Sequence, residues 1–202
     1  FAEAEAALNQ SFALHAGPAA YVRKLFYLLY VYDDLDGAAK VVAKVPGPFL
    51  LRDEATQFVS SLWLWRHDAE KCIATLRRFD GDELYGVPKG YLIGHAFEIS
   101  GRLPAAELEW RAALQKRYAK LVAAPNDPNA LYGKAYLLAC LGEKTEADRL
   151  LKIYEQMTSP GGNTLDFLRA DILVRLGRTD EAIATIETGT RDPVRNTLDL
   201  EW

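Results

Sequence analysis

The chain has 202 residues, 50% of them hydrophobic and 26% charged, with 24 basic and 28 acidic side chains for a net charge of −4. That length and composition support a sizeable core and exclude a disordered chain, and no window holds the roughly 18 apolar residues of a membrane-crossing helix. The slightly acidic, interspersed charge also excludes a general binder of the nucleic-acid backbone, which needs a basic patch or stripe.

The first stretch, FAEAEAALNQSFAL (1–14), is an apolar helical pattern entered midway and without an initiating Met. It reads as the partial first unit of a series, about 1–17, and predicts a piece of a longer protein or one processed at its start. No basic stretch followed by an apolar run opens the chain, so no signal peptide is predicted. The region 19–50 carries the longest apolar stretch, Leu25 to Tyr32, which is rich in Tyr, and then the acidic DDLDG at 33–37. A calcium loop in that register would need an acid at position one and Glu at position twelve, where Tyr32 and Ala43 stand. The stretch therefore reads as an acidic turn and helix cap. The region 53–86 holds Cys72 in a helical pattern and ends in the polar connection FDGDELYG (79–86). VPKG at 87–90 lacks the glycine spacing and Lys–Ser/Thr ending of a phosphate loop.

The region 87–126 holds His95 and Glu98, spaced i and i+3 as a hydrogen-bonded pair or half of a metal site. It continues into LPAAELEWRAALQKRYAKLVAAPNDP, which predicts a long helix from about Pro104 to Ala123. Arg111, Lys116, Arg117 and Lys120 fall on it, either as a solvated basic face or as a docking spur for an acidic partner. The regions 128–160 and 163–194 follow, separated by SPGGN with Gly161 and Gly162 in a loop. Pro18, Pro46, Pro48, Pro88, Pro125, Pro128 and Pro160 stand near these boundaries, where they stop or start helices. Cys72 and Cys140 read as two small buried thiols. No histidine has a metal-ligand companion at i+4, the CxxC and HExxH spacings are absent, and His67 falls in an exposed turn.

One phrase recurs. LLACLGEKTEA (137–147), ILVRLGRTDEA (172–182) and AFEISGRLPAA (96–106) each hold an apolar run, a Gly, a polar turn and an Ala. Aligned on the closing small residue, the register runs Ala4, Ala38, Cys72, Ala106, Ala147 and Ala182. Four residues later stand Leu8, Val42, Leu76, Trp110, Leu151 and Ile186, and nine residues earlier Leu29, Trp63, Phe97, Leu138 and Leu173. Twelve earlier stand Phe26, Ser60, Gly94, Ala135 and Ala170, small in all but the first. Five earlier lies the turn, at Asp33, His67, Gly101, Gly142 and Gly177. Apolar residues at helical spacing mark one buried face, Gly closes a helix in the left-handed conformation, and small residues let helices cross closely. Thr145 and Thr179 are read as N-caps of the helices that follow.

This pattern resembles the tetratricopeptide repeat family, whose units of 34 residues are helix–turn–helix hairpins. The resemblance covers nearly the whole chain and is clearest in 128–160 and 163–194; the first two full units lack the turn Gly, and Cys72 replaces an Ala. It implies an all-α fold, a right-handed superhelix of about five hairpins plus a preceding helix, forming one array over 1–202. A similarly long second helix is found in tetratricopeptide regions attached to some bacterial Ser/Thr protein kinases. Groove positions carried over from the family are Arg23, Tyr27 and Tyr30; Gln57, Ser61 and Leu64; Tyr91, His95 and Glu98; Tyr132, Tyr136 and Ala139; and Phe167, Asp171 and Val174. The family's carboxylate clamp needs Lys and Asn. Arg23 takes one such position, but Tyr27 stands where Asn is needed, which implies no chaperone-type recognition of a peptide C-terminus.

The resemblance thus implies a protein–protein interaction module whose aromatic-rich concave groove binds a peptide or a partner's helix, with apolar or Pro side chains suited to it. No reaction, metal, cofactor, nucleic acid or membrane insertion is expected, and free thiols without a signal point to the cytoplasm. The alternative expectation is a self-associating scaffold, pairing through the exposed N-terminal helix around Leu8, or the regulatory arm of a larger bacterial signalling protein.

Overall fold

Proline or aspartate opens several of the helices, and left-handed residues close the turn within each hairpin. The computed structural model describes Ala6, Gln10 and residues 17–84, 87–157 and 166–191. Among the described residues the chain is all-α apart from a two-residue β-ribbon. Helix α1 (Pro18–Phe26) starts on Pro18 and runs into a π-helical turn, Tyr27–Val31. Helix α2 (Leu35–Val42) is capped by Asp34, whose Oδ1 accepts from the Gly37 N–H at 2.8 Å. A 3₁₀ turn at Gly47–Leu51 leads to α3 (Asp53–Trp65). Helix α4 (Ala69–Arg78) is capped by Asp68, which accepts from the Lys71 N–H. Helix α5 is Lys89–Ile99, and α6 runs from Leu103 to Ala123, 21 residues against 10 for α4 and 14 for α8 below. Helix α7 (Pro128–Cys140) has Pro128 in its first turn and an Asp127 cap. Helices α8 (Lys144–Met157), α9 (Asp166–Leu176) and α10 (Thr179–Arg191) complete the described chain.

The turn column carries the strongest backbone signature. Asp33, His67, Gly101, Gly142 and Gly177 have φ of 52°, 56°, 76°, 79° and 84°, and no other described residue has positive φ. In the last four turns the next N–H reaches back five residues, to Trp63, Phe97, Leu138 and Leu173, at 2.8–2.9 Å. These acceptors are the apolar column nine before the small residue, so the repeat register and the helix-closing hydrogen bond coincide. In the first turn the Asp34 N–H reaches Leu28 instead, one residue further back. The π turn upstream takes up the extra residue.

Burial follows the same columns. Ala38, Cys72, Ala106, Ala147 and Ala182 are all buried, as are Ser60, Gly94, Ala135 and Ala170. Helix α3 packs on α4, α7 on α8, and α9 on both α7 and α10. Packing divides the chain into two compact bodies, 1–106 and 107–202. The core of the first holds Leu25, Leu29, Ala38, Val41, Val59 and Leu62. The second buries Trp110, Leu131, Leu137, Leu150, Leu151, Ile172 and Leu173.

Three local expectations change. Thr145 and Thr179 lie inside the first turns of α8 and α10 rather than capping them, because the carbonyls of Glu143 and Arg178 already accept the first helical bonds, from Ala147 and Ala182. The polar connection after α4 contains an antiparallel bridge, Glu83 with Pro88 and Leu84 with Val87. Cys140 is half-buried, whereas Cys72 is fully buried and its thiol is pushed up to about 12 by that burial. Leu8, Pro160, Gly161 and Gly162 lie outside the described residues.

Candidate functional site

Helix α1, its π turn and the residue that follows hold Phe26, Tyr27, Tyr30 and Tyr32 within seven residues, and α3 presents Phe58 and Trp65 to them. Tyr30 stacks on Phe26 at 5.4 Å between centroids and meets Phe58 and Trp65 edge-on at 5.9 and 5.2 Å. Tyr27 lies edge-on to Phe26 and tilted against Tyr32. Such edge-on and offset pairs follow the ring quadrupoles and hold the rings in fixed directions. Phe26, Tyr27 and Phe58 are half-buried, while Tyr30 is 47% exposed, Trp65 40%, Val31 39% and Tyr32 38%. The partly buried surroundings of Tyr30 push its phenol pKa up, and a hydrogen bond with Ser61 offsets part of that rise. Arg23 is exposed on the same helix as Tyr27, and Gln57 and Leu64 are half-buried on α3.

The helical phase explains Trp65. Trp63 occupies the inward column, half-buried beneath the Lys71 ammonium at 4.6 Å. Two residues on is about 200° round a helix, so Trp65 faces outward. Sequence reading missed Trp65, Tyr32 and Phe58 because it carried over only groove positions. The Tyr-rich run Leu25–Tyr32 was the available signal, together with Phe26, the one large residue in a column of small ones.

The other groove residues sit differently. Tyr91 stacks on His95 at 5.7 Å, and His95 Nδ1 lies 3.2 Å from Glu98 Oε2, forming the hydrogen-bonded pair of the two alternatives. Tyr91 is 3% exposed, however, and Tyr132 and Tyr136 are 4% and 2% exposed, so these three rings do not offer open faces to a groove. Tyr132 lies nearly parallel to Tyr136 and packs on Tyr154 at 4.5 Å. The Tyr136 hydroxyl donates to Asp171 Oδ2 at 2.6 Å. Asp171 also meets Arg175 at 3.3 Å, and that guanidinium lies over the Trp110 ring at 5.6 Å. These contacts make a structural network of the C-terminal body. They bury the rings because α7 is covered on several sides: its residues 130–133 and 135–139 are all buried. Ala139 is buried with them, Val174 is exposed, and the Phe167 side chain lies outside the described residues.

On the long helix α6, Lys116 and Lys120 are exposed, and Arg111 is mostly exposed beside Glu107. Arg117 is not part of that basic face. It is 2% exposed, and its guanidinium lies so close to Gly133 that a Cβ there would stand 2.7 Å from Nε. A shallow cleft of about 470 Å³ between α8 and the α9–α10 turn is lined by Lys144, Thr145, Asp148, Lys152, Leu176 and Arg178. Three of its charged residues are paired: Asp148 with Lys152 and Arg178, and Arg178 also with Glu181.

Among the described residues no helix is long and apolar enough to cross a membrane. The chain matches no protein-family model and no curated protein.

Proposed function

We propose that the chain is a protein–protein interaction module built from tetratricopeptide-like hairpins, and that it takes a peptide segment on the aromatic face of its N-terminal body. One observation carries the reading: Tyr30, Tyr32 and Trp65 are each more than a third exposed within one connected set of rings, beside the equally exposed Val31. Large exposed aromatics in contact with one another are unusual on a monomer surface and are enriched at interface hot spots. Tyr and Trp also give much contact area at little entropic cost. The groove positions Tyr27, Tyr30 and Ser61 fall in or against this face, whereas Tyr132 and Tyr136 belong to packing.

The experiment is a pull-down from the source cell with the wild-type chain and the Tyr30→Ala/Trp65→Ala variant, read by mass spectrometry alongside helicity and melting. A protein held by the wild type and lost by the folded variant supports the reading. Equal recovery by both moves the interaction away from this face.

Self-association has its own observation. On α6, Leu108, Ala112, Gln115, Ala119 and Val122 are all exposed, Leu108 at 71% and Val122 at 84%. Their alternating spacing of four and three is that of a coiled-coil seam. Light scattering of the wild type and of Leu108→Glu/Val122→Glu separates the two: a dimer reduced to a monomer by the variant favours self-association.

A further inference from the structure

We propose that α6 pairs antiparallel with α6 of a second copy of this chain, Leu108 of each packing on Ala119 of the other about a two-fold axis that passes between Ala112 and Gln115. The inference rests on the self-association reading of this helix and adds its direction and register.

Three properties of α6 point to that occupant. The first is position. Trp110, Ala113, Leu114 and Arg117 are buried and root the helix in the C-terminal body. Leu108, Ala112, Gln115, Ala119 and Val122 are all exposed, and they leave the helix on its opposite side, roughly 180° round from that buried stripe. Four of the five are apolar, so the face gains from being covered.

The second property is shape. Larger and small side chains alternate along the face: Leu108, Ala112, Gln115, Ala119, Val122. Run antiparallel, the stretch complements itself. Leu108 meets the partner's Ala119, Ala112 meets the partner's Gln115, and the two-fold axis repeats both contacts. Each layer then holds one small and one larger side chain, which lets the helices approach evenly along the seam. Parallel pairing would set Ala on Ala and Leu on Leu, with gaps between the larger pairs. The Gln115 amide is both donor and acceptor and lies beside the axis, where it can bond its own counterpart and fix the register.

The third property is charge. Arg111 borders one edge of the seam and Lys116 the other, both exposed, with the half-buried Glu109 on the Lys116 edge. Parallel pairing in register brings Arg111 against the partner's Lys116, a like-charge contact made twice. Antiparallel pairing puts those two cations on opposite edges and brings Glu109 to the partner's Lys116, an opposite-charge contact made twice. Glu109 and Lys116 also interact within their own chain. A carboxylate and an ammonium can each hold more than one partner, so those contacts and the pairing coexist. A single helix pair falls at the small end of interface sizes, below about 1,200 Å², so the dimer is expected to dissociate at micromolar concentrations.

The test measures dimerisation of the full chain by sedimentation over a range of concentrations, with melting curves to confirm that each variant folds. Lys116→Glu separates the two directions by sign. It sets Glu against the partner's Glu109 in the antiparallel dimer, which is expected to weaken roughly tenfold, less at high salt. In a parallel dimer the same change would pair Glu with the partner's Arg111 and tighten association. Spin labels give a second readout, placed by Ala123→Cys in a Cys140→Ser chain, where the remaining Cys72 is buried. Antiparallel pairing holds the two labels about 30 Å apart along the axis, and parallel pairing holds them about 10 Å apart. A short distance, or tighter association of Lys116→Glu, would overturn the antiparallel geometry and leave self-association through α6 standing. No dimer up to millimolar chain, or a dimer untouched by Leu108→Glu/Val122→Glu, would overturn both.

Discussion

At Gly133 local and tertiary preferences pull in opposite directions. A glycine inside a helix normally costs about 0.5–1 kcal/mol relative to alanine. Here an alanine Cβ would stand 2.7 Å from Nε and 2.9 Å from Cζ of the buried Arg117. Overpacking of that kind costs about 1–3 kcal/mol, so it wins. Gly133→Ala is expected to lower the urea midpoint, and Arg117→Ala in the same chain to remove that specific penalty; a raised midpoint for the single variant would show that Arg117 moves aside freely. The hydroxyl of Tyr136 offers a second residue-level test. Tyr136→Phe deletes the bond to Asp171 and is expected to cost about 1.5–3 kcal/mol, the range for hydrogen bonds to charged groups, measured by denaturation. Neither feature was legible in the sequence. Gly133 lies outside every repeat column, and Tyr136 was read as a groove residue because spacing places it on a helix face without revealing what covers that face.

The hairpin is the element at which sequence reading worked best. All five turn positions adopt positive φ, including Asp33 and His67, where Gly is lacking. That difference gives opposite predictions for one column. Gly142→Ala forces a Cβ into the left-handed region and is expected to cost about 1–2 kcal/mol. His67→Gly relieves the same strain at an exposed site, offset partly by the entropy of glycine, and is expected to gain about 0.5 kcal/mol. Thermal melts of both variants check the pair, and equal signs would refute the shared conformation. The helix starts also fix a pH dependence. Hydrogen bonds from the side chains of Lys71, Lys152 and Arg178 hold the carboxyls of Asp68, Asp148 and Glu181 below their ordinary values. A depressed carboxyl stabilises the fold above its unfolded value, about 4, and that contribution is lost as pH falls through the folded value. Melting temperature should therefore drop below about pH 4, with a shallower drop in Asp148→Asn. The π turn was not legible. Phe26, bulky where other units keep Ser, Gly or Ala, marks its place, but nothing in the local sequence states which carbonyl the Asp34 N–H will reach.

At the scale of the molecule, each of the two compact bodies has its own buried core. Damage in one body should then be felt mainly there. Leu151 is fully buried in α8, and Leu151→Ala is expected to cost about 2–5 kcal/mol. Amide exchange should show protection lost first across α7 to α9 while α2 to α4 keep theirs; uniform loss through both bodies would show instead that the chain unfolds as one unit.

The sequence by itself determined the all-α fold, the repeat register, the turn positions and the long helix α6. These depend on short-range rules: apolar spacing, the conformational freedom of glycine and the capping chemistry of aspartate. The tertiary structure alone decided which aromatic rings meet solvent. Tyr30 and Tyr136 are both tyrosines at groove positions carried over from the same family, yet one is 47% exposed and the other 2%. Periodicity fixes the direction in which a side chain leaves its helix. Exposure depends on how many neighbours stand in that direction, and that number is set by packing between segments far apart in the chain.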